Sequence, residues 1–145
     1  MPLLRTAIVN EILLVLPLPK PALSPNSRAH WGTRAGATKR YRIAAYATVI
    51  EAGGRNLRWS QAVAQTTFYW PDRRRRDVAN AEASLKAAWD GFVDAGLIPD
   101  DRAEVLTHEP TRFEVDRRRP RVEIRITRRG NAGGHLVDTV RSMST

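Results

Sequence analysis

Hydrophobic positions along this chain change their period several times, and each change marks an element. Residues 11–18, Glu-Ile-Leu-Leu-Val-Leu-Pro-Leu, are a short apolar run closed by proline, which predicts a buried strand rather than a helix. Pro19, Pro21, Ser24, Pro25 and Asn26 follow as a turn-rich loop with a restricted backbone. From about Lys39 to Glu51, Tyr41, Ala44, Ala45, Thr48 and Val49 recur at the helical period, and Gly53-Gly54 supplies a stop. Residues 62–70 are β-branched and aromatic and terminate at Pro71, as a strand does. A second helix over roughly 80–95 sets Ala81, Leu85, Trp89 and Phe92 on one face and Glu82, Lys86, Asp90 and Asp94 on another, until Gly96 ends it.

A weaker strand is expected over about 104–115. In a final strand Val122, Ile124 and Ile126 alternate with Arg121, Glu123 and Arg125, after a turn at Arg117 to Pro120. Residues 129–145 contain Gly130, Gly133, Gly134, Ser142 and Ser144 without an apolar face, which predicts a mobile tail. The order of elements predicts an α/β (α+β) fold over residues 1–128: a small mixed sheet of about four strands packed with two main helices. A chain of 145 residues is long enough for one real core and too short for two.

Charge narrows the partner class. Lys plus Arg number 24 against 15 Asp plus Glu, a formal charge of +9, and the arginines cluster at 73–76 and 117–119. A clustered excess of that size attracts a polyanion, so nucleic acid is the expected partner. The absence of cysteine excludes disulfides, cysteine-ligated zinc and thiol catalysis, and suits a reducing cytoplasm. His30, His108 and His135 share no ligand-like spacing, which argues against zinc. Trp31 and Tyr41 are read as core residues before base-stacking ones. The apolar run Ile12 to Leu18 is far shorter than the roughly 20 residues of a membrane span and is interrupted by Pro17, so neither an anchor nor a signal peptide is expected.

The segment from Pro71 to Val105 carries the chemistry: a strand ends in Pro-Asp-Arg-Arg-Arg-Arg-Asp, a helix follows, and Gly-Leu-Ile-Pro-Asp-Asp closes it. Hydrolysis of a phosphodiester needs a nucleophilic water and neutralisation of charge, which carboxylate-held magnesium provides. Asp77, Asp100 and Asp101 are the hard oxygen ligands on offer. Taken alone, an Asp before a helix reads as an N-cap and an Asp pair after one reads as a turn. Lys86 with its acidic neighbours reads equally as a row of surface ion pairs. The arginine run has the better case on physics alone, since guanidinium forks grip phosphates and the run lies directly before Asp77.

PDRRRRD at 71–77, Asn80, Lys86, Asp90 and AGLIPDD at 95–101 resemble, in order and spacing, the active-site region of the RusA-type Holliday junction resolvases. Upstream, Leu-Pro-Leu-Pro, Leu23-Ser-Pro-Asn26 and His30-Trp31 resemble that family's amino-terminal strand and proline-rich loop, and RVEIRI at 121–126 its closing strand. The resemblance covers about 115 residues and is most specific over roughly 71–105. It implies that Asp77 and Asp101 are metal-binding catalytic aspartates and that Lys86 is a basic residue important for cleavage. Asp100 and Asn80 are the further candidate ligands of magnesium, or of manganese in its place. Arg73, Arg74, Arg75, Arg76, Asn26, Lys39 and Arg40 would face DNA. The expected protein is a homodimeric endodeoxyribonuclease of bacterial or phage type, cutting four-way junctions or related branched DNA.

One departure matters. Many members carry a further catalytic aspartate in an Asp-x-Asp-Asn motif, and this chain has Asp77-Val-Ala-Asn80. A neutral ligand attracts magnesium less than a carboxylate, so the alternative is a DNA-binding relative with weakened or lost catalysis. Geometry adds a demand, because a straight helix over roughly 80–95 is about 24 Å long at about 1.5 Å per residue. Either the chain after Gly96 folds back along the helix, or a two-fold dimer brings Asp77 of one subunit to Asp101 of the other.

Overall fold

Alternation along the strands decides which face of the sheet is dry. The computed structural model describes residues 9–130. In chain order they form β1 (Glu11–Leu16), α1 (Trp31–Glu51), β2 (Ala62–Trp70), α2 (Val78–Ala83), α3 (Lys86–Asp94), β3 (Leu106–His108), β4 (Arg112–Val115) and β5 (Arg121–Arg128), with one 3-10 turn at Pro21–Leu23. The five strands make one mixed sheet. Strand β5 pairs antiparallel with β1 and β2, and β2 pairs parallel with β3 and, farther along, with β4.

Register stacks the apolar positions in rows across the sheet. Ile126 stands between Ile12 and Ala64, Ile124 between Leu14 and Thr66, and Val122 between Leu16 and Phe68. All nine are buried. Each large apolar side chain among them contributes about 1.5–3 kcal/mol by leaving water, and a slip of one residue would turn every one of them outward. The alternate positions carry polar contacts instead: Arg125 pairs with Glu11 at 2.7 Å, and Arg121 pairs with Glu123 at 2.7 Å while its guanidinium lies 3.9 Å from the Tyr69 ring centroid.

The helices pack on the dry face. Tyr41, Ala45 and Val49 of α1 and Ala88, Trp89 and Phe92 of α3 join the strand residues in one core. Helices α1 and α3 approach closely at Gly91, where a Cβ would lie 2.3 Å from the Arg42 carbonyl oxygen and 2.8 Å from the Ala45 Cβ. The buried Tyr41 hydroxyl donates to the Pro17 carbonyl at 2.7 Å and so ties the proline-rich loop to α1; its burial pushes the phenol pKa up.

The fold is therefore a mixed sheet with helices packed against it, in line with the pattern, and the boundaries differ for local reasons. Strand β1 stops at Leu16, one residue before Pro17, which has no N–H for the ladder. Helix α1 starts at Trp31 rather than about residue 39, because the His30 ring accepts the Gly32 N–H at 3.1 Å as an N-cap and outweighs the helix-weakening Gly32 and Gly36. The helix expected over 80–95 is two, α2 and α3. At the break the Ser84 hydroxyl donates to the Ala81 carbonyl, and Leu85, buried in the core, takes the N-cap position of the second segment without a capping side chain. The strand expected over 104–115 is also two pieces, separated at Pro110, which raises the sheet from about four strands to five. Strand β5 extends to Arg128, and Arg129 and Gly130 follow without regular structure; residues 131–145, most of the expected tail, lie outside the described residues.

The contact at Gly91 makes a stability prediction. Gly91→Ala should destabilise the protein by about 1–3 kcal/mol through overpacking, read in thermal unfolding as a drop of several degrees in Tm. An unchanged Tm would show that α1 and α3 do not meet this closely.

Candidate active site

The charged side chains of the 71–101 segment are set by a loop, a broken helix and a chain reversal. In the loop, Asp72 accepts from the Arg74 N–H at 3.0 Å and from the Arg76 guanidinium at 2.8 Å. These donors, the Arg74 amide first, hold its carboxyl below the usual range. Arg76 also donates to the Asp72 and Arg74 carbonyls and lies 4.3 Å from the Trp70 ring centroid, leaving its side chain only 18% exposed. Arg76 thus folds the loop. Arg73, Arg74 and Arg75 remain exposed on it, and together with Phe113 and Val115 they border a groove of about 580 Å³.

Asp77 is the N-cap of α2, and its Oδ1 accepts the Asn80 N–H at 2.9 Å. The N-cap role read from the sequence alone is realised. Asp77 and Asn80 border a cleft of about 290 Å³ with Lys20, Arg76 and Ser84.

Lys86 begins α3. Its Nζ lies 3.1 Å from Asp90 and 2.9 Å from Asp101. Asp101 reaches it because the chain turns back at Gly96, whose φ of +79° is a left-handed conformation that suits glycine. Across the turn the carbonyls of Ala95, Gly96 and Leu97 accept the N–H groups of Asn56, Arg58 and Trp59, and Leu97 and Ile98 are buried. The chain therefore folds back along α3 far enough to bring Asp101 to Lys86, but not into the cleft that Asp77 borders. Asp100 makes the following turn, accepting the Arg102 N–H at 3.0 Å and pairing with the Arg102 guanidinium at 3.0 Å. The Lys86 ammonium holds the Asp101 carboxyl below the usual range, and Asp101 in turn, with Asp90, raises the Lys86 pKa.

A second cleft, of about 260 Å³, is bordered by Pro25, Arg34, Thr38, Ser84, Lys86 and Asp90. Ser84 is common to it and the Asp77 cleft. Asp90 is common to it and a third cleft, of about 210 Å³, where Asp101 and Asp100 meet Arg42 and Asp94. Asp77 and Asp101 thus belong to different clefts, with the Lys86 cleft between them. Among the described residues no group of three or more His, Asp or Glu side chains is placed to hold a metal ion. What converges on a cation is a pair, Asp90 and Asp101. That pair fits magnesium by chemistry, since this ion takes one or two protein carboxylates and keeps several waters. Asp77 and Asn80 offer a separate carboxylate and amide.

The other expected DNA contacts divide. Asn26 is exposed in the proline-rich loop, its N–H bonded to Ser24 Oγ at 3.3 Å. Lys39 and Arg40 are exposed on α1 but border none of the three clefts, whereas Arg34, Lys20 and Asp90 do. The sequence pattern misses Arg34 because it starts α1 too late; His30 as a cap is the signal that places it. Trp31 and Tyr41 also part company, with Tyr41 buried and Trp31 76% exposed. No helix among the described residues is long and apolar enough to cross a membrane. No family model matches the chain, and no curated protein matches it.

Arg42 braces the third cleft by a two-pronged pair to Asp94, 2.6 and 2.8 Å, which also ties α1 to α3. The guanidinium holds the Asp94 carboxyl below its usual range. A carboxyl depressed in the folded state adds stability above the unfolded pKa and loses it as pH falls through the folded value. Asp94→Asn should therefore lower Tm near neutrality, and the gap from the parent protein should close below about pH 4. A gap that persists or widens in acid would contradict the pairing.

Proposed function

We propose that this chain is a metal-dependent, structure-specific endonuclease that hydrolyses phosphodiesters of four-way junctions or related branched DNA in recombination and repair. The observation that carries the proposal is the return of Asp101 to Lys86 and Asp90, which gathers two carboxylates and an ammonium at the start of α3. Asp90 and Asp101 would hold magnesium, or manganese, with Asp77 and Asn80 as the second donor set. Bound there, the ion supplies charge neutralisation and a water acidified toward hydroxide.

The protein's own side chains do the rest. Arg73, Arg74 and Arg75 grip backbone phosphates without reading bases. Arg76 keeps their loop folded through Asp72 and Trp70. Lys86 keeps Asp101 ionised and brings positive charge to the position where a phosphoryl oxygen gains negative charge. A symmetric pair of chains presents two such sites, as two opposed cuts in a junction require, and selectivity comes from branch shape and deformability.

A second reading has its own support. Lys86 already compensates Asp90 and Asp101, and position 79 is alanine. Both favour a DNA-binding protein that does not cut.

A nicking assay on synthetic four-way junctions separates the two. The proposal expects magnesium-dependent cleavage that Asp101→Asn and Lys86→Ala each lower about 100-fold or more while junction binding persists. Binding without cleavage by the unmodified protein would establish the second reading. In both cases substituting Arg73, Arg74 and Arg75 by alanine should flatten the dependence of log affinity on log salt by about 0.9 for each phosphate no longer neutralised. An unchanged slope would take the loop out of the interface.

A further inference from the structure

Between Glu11 and Glu51 the chain has no Asp or Glu, yet it carries Lys20, Arg28, Arg34, Lys39, Arg40 and Arg42. Of these only Arg42 has a carboxylate partner among the described residues. Trp31 stands at the head of α1 within this stretch and is 76% exposed, with the His30 ring beside it at 5.5 Å between centroids. The other tryptophans are buried or half-buried. An exposed indole leaves about as much apolar surface in water as a side chain can, so a partner that covers it gains stability.

Helical spacing sets Trp31, Arg34 and Thr38 on one face of α1, at steps of three and four residues. Arg34 and Thr38 border the cleft that also holds Lys86 and Asp90. Trp31 thus lies one turn beyond the cleft, along a row that leads to Lys86. A strand whose phosphates meet Arg34 and Lys86 would bring its next unpaired base over the indole face. Duplex bases are already stacked on each other and present no such face.

We propose that Trp31 is a stacking platform for an unpaired base of single-stranded or branch-point DNA, with Arg34 as the adjoining phosphate contact. This rests on the nucleic-acid part of the proposed function and not on its cleavage step. Charge complementarity selects the occupant: every charged residue of the 12–50 segment that carries Trp31 is a cation, which suits a polyanion and disfavours a second copy of the same segment.

The test is titration of the intact protein with a fluorescently silent oligothymidylate, following tryptophan emission. The result expected is quenching of the exposed, red-shifted component, with affinity for the oligomer falling about 5- to 150-fold in Trp31→Ala. Trp31→Phe should recover part of that affinity, while binding to a blunt duplex stays within twofold. Arg34→Ala should weaken binding without removing the quench at saturation. Equal oligomer affinity in the parent and Trp31→Ala would overturn the inference. So would equal losses on oligomer and duplex, or a change in oligomeric state with no change in oligomer binding. Circular dichroism checks that the substituted chain is folded, which an exposed position favours. Junction cleavage measured on the same proteins keeps the two proposals apart: Trp31-dependent quenching without magnesium-dependent cleavage leaves the platform standing and removes the nuclease, and the reverse result does the opposite.

Discussion

The reversal at Gly96 is the constraint on which the rest of the site depends. A Cβ at this position would meet Asn56 Oδ1 at 2.5 Å, and its φ of +79° already disfavours other residues. The turn lets Leu97 and Ile98 enter the core and lets three backbone N–H groups of the 56–59 segment find acceptors. Unmade, the bond of the buried Trp59 would leave its N–H without a partner at a cost of about 1–3 kcal/mol. With all three made, the chain has one path back along α3, and Asp100 and Asp101 arrive beside its first turns. Hydrophobic burial thus places the carboxylates, and the Lys86 pair only trims their position, since an exposed ion pair contributes at most about 1 kcal/mol.

Charge is layered onto this scaffold in two kinds. Some cations are used within the molecule: Arg42 on Asp94, Arg76 on Asp72 and Trp70, Arg121 on Asp116 and Glu123. Others, among them Arg34, Arg73 and Arg75, have no carboxylate partner among the described residues and stay exposed. Composition counts both kinds alike, so a net charge of +9 says that a polyanion is attracted without saying where. The division into structural and available arginines is what gives the surface a direction, running from the 73–75 loop past Asp77 toward Lys86.

Most of the architecture is legible from period alone. The rows Ile12, Leu14, Leu16 and Val122, Ile124, Ile126 announce their strands because one face is dry and the other wet. What the pattern misses depends on contacts that no local signal carries. The early start of α1 rests on one imidazole cap, and the break at Ser84 rests on a hydroxyl that competes with the helix ladder. The parallel pairing of β3 and β4 with β2 joins segments distant in sequence. For the site, Asp77, Lys86 and Asp101 are visible as a motif, and the fold-back is visible as one of two geometric solutions. Asp90 as a cleft carboxylate and Arg34 are not, because a charged residue on a helix looks the same in sequence whether it faces a cleft or open water. Asp77 also does the ordinary work of an N-cap, so the metal contact proposed for it rests on its remaining carboxylate oxygen.

The carboxylates gathered around Lys86 are proposed as a divalent-cation site, and everything catalytic follows from that. The most direct test is paramagnetic broadening of amide resonances by substoichiometric manganese. Lys86, Asp90 and Asp101 should broaden first, and that focus should vanish in Asp101→Asn. Broadening spread evenly over surface carboxylates, or centred away from α3 on residues such as Glu109 and Glu114, would contradict it.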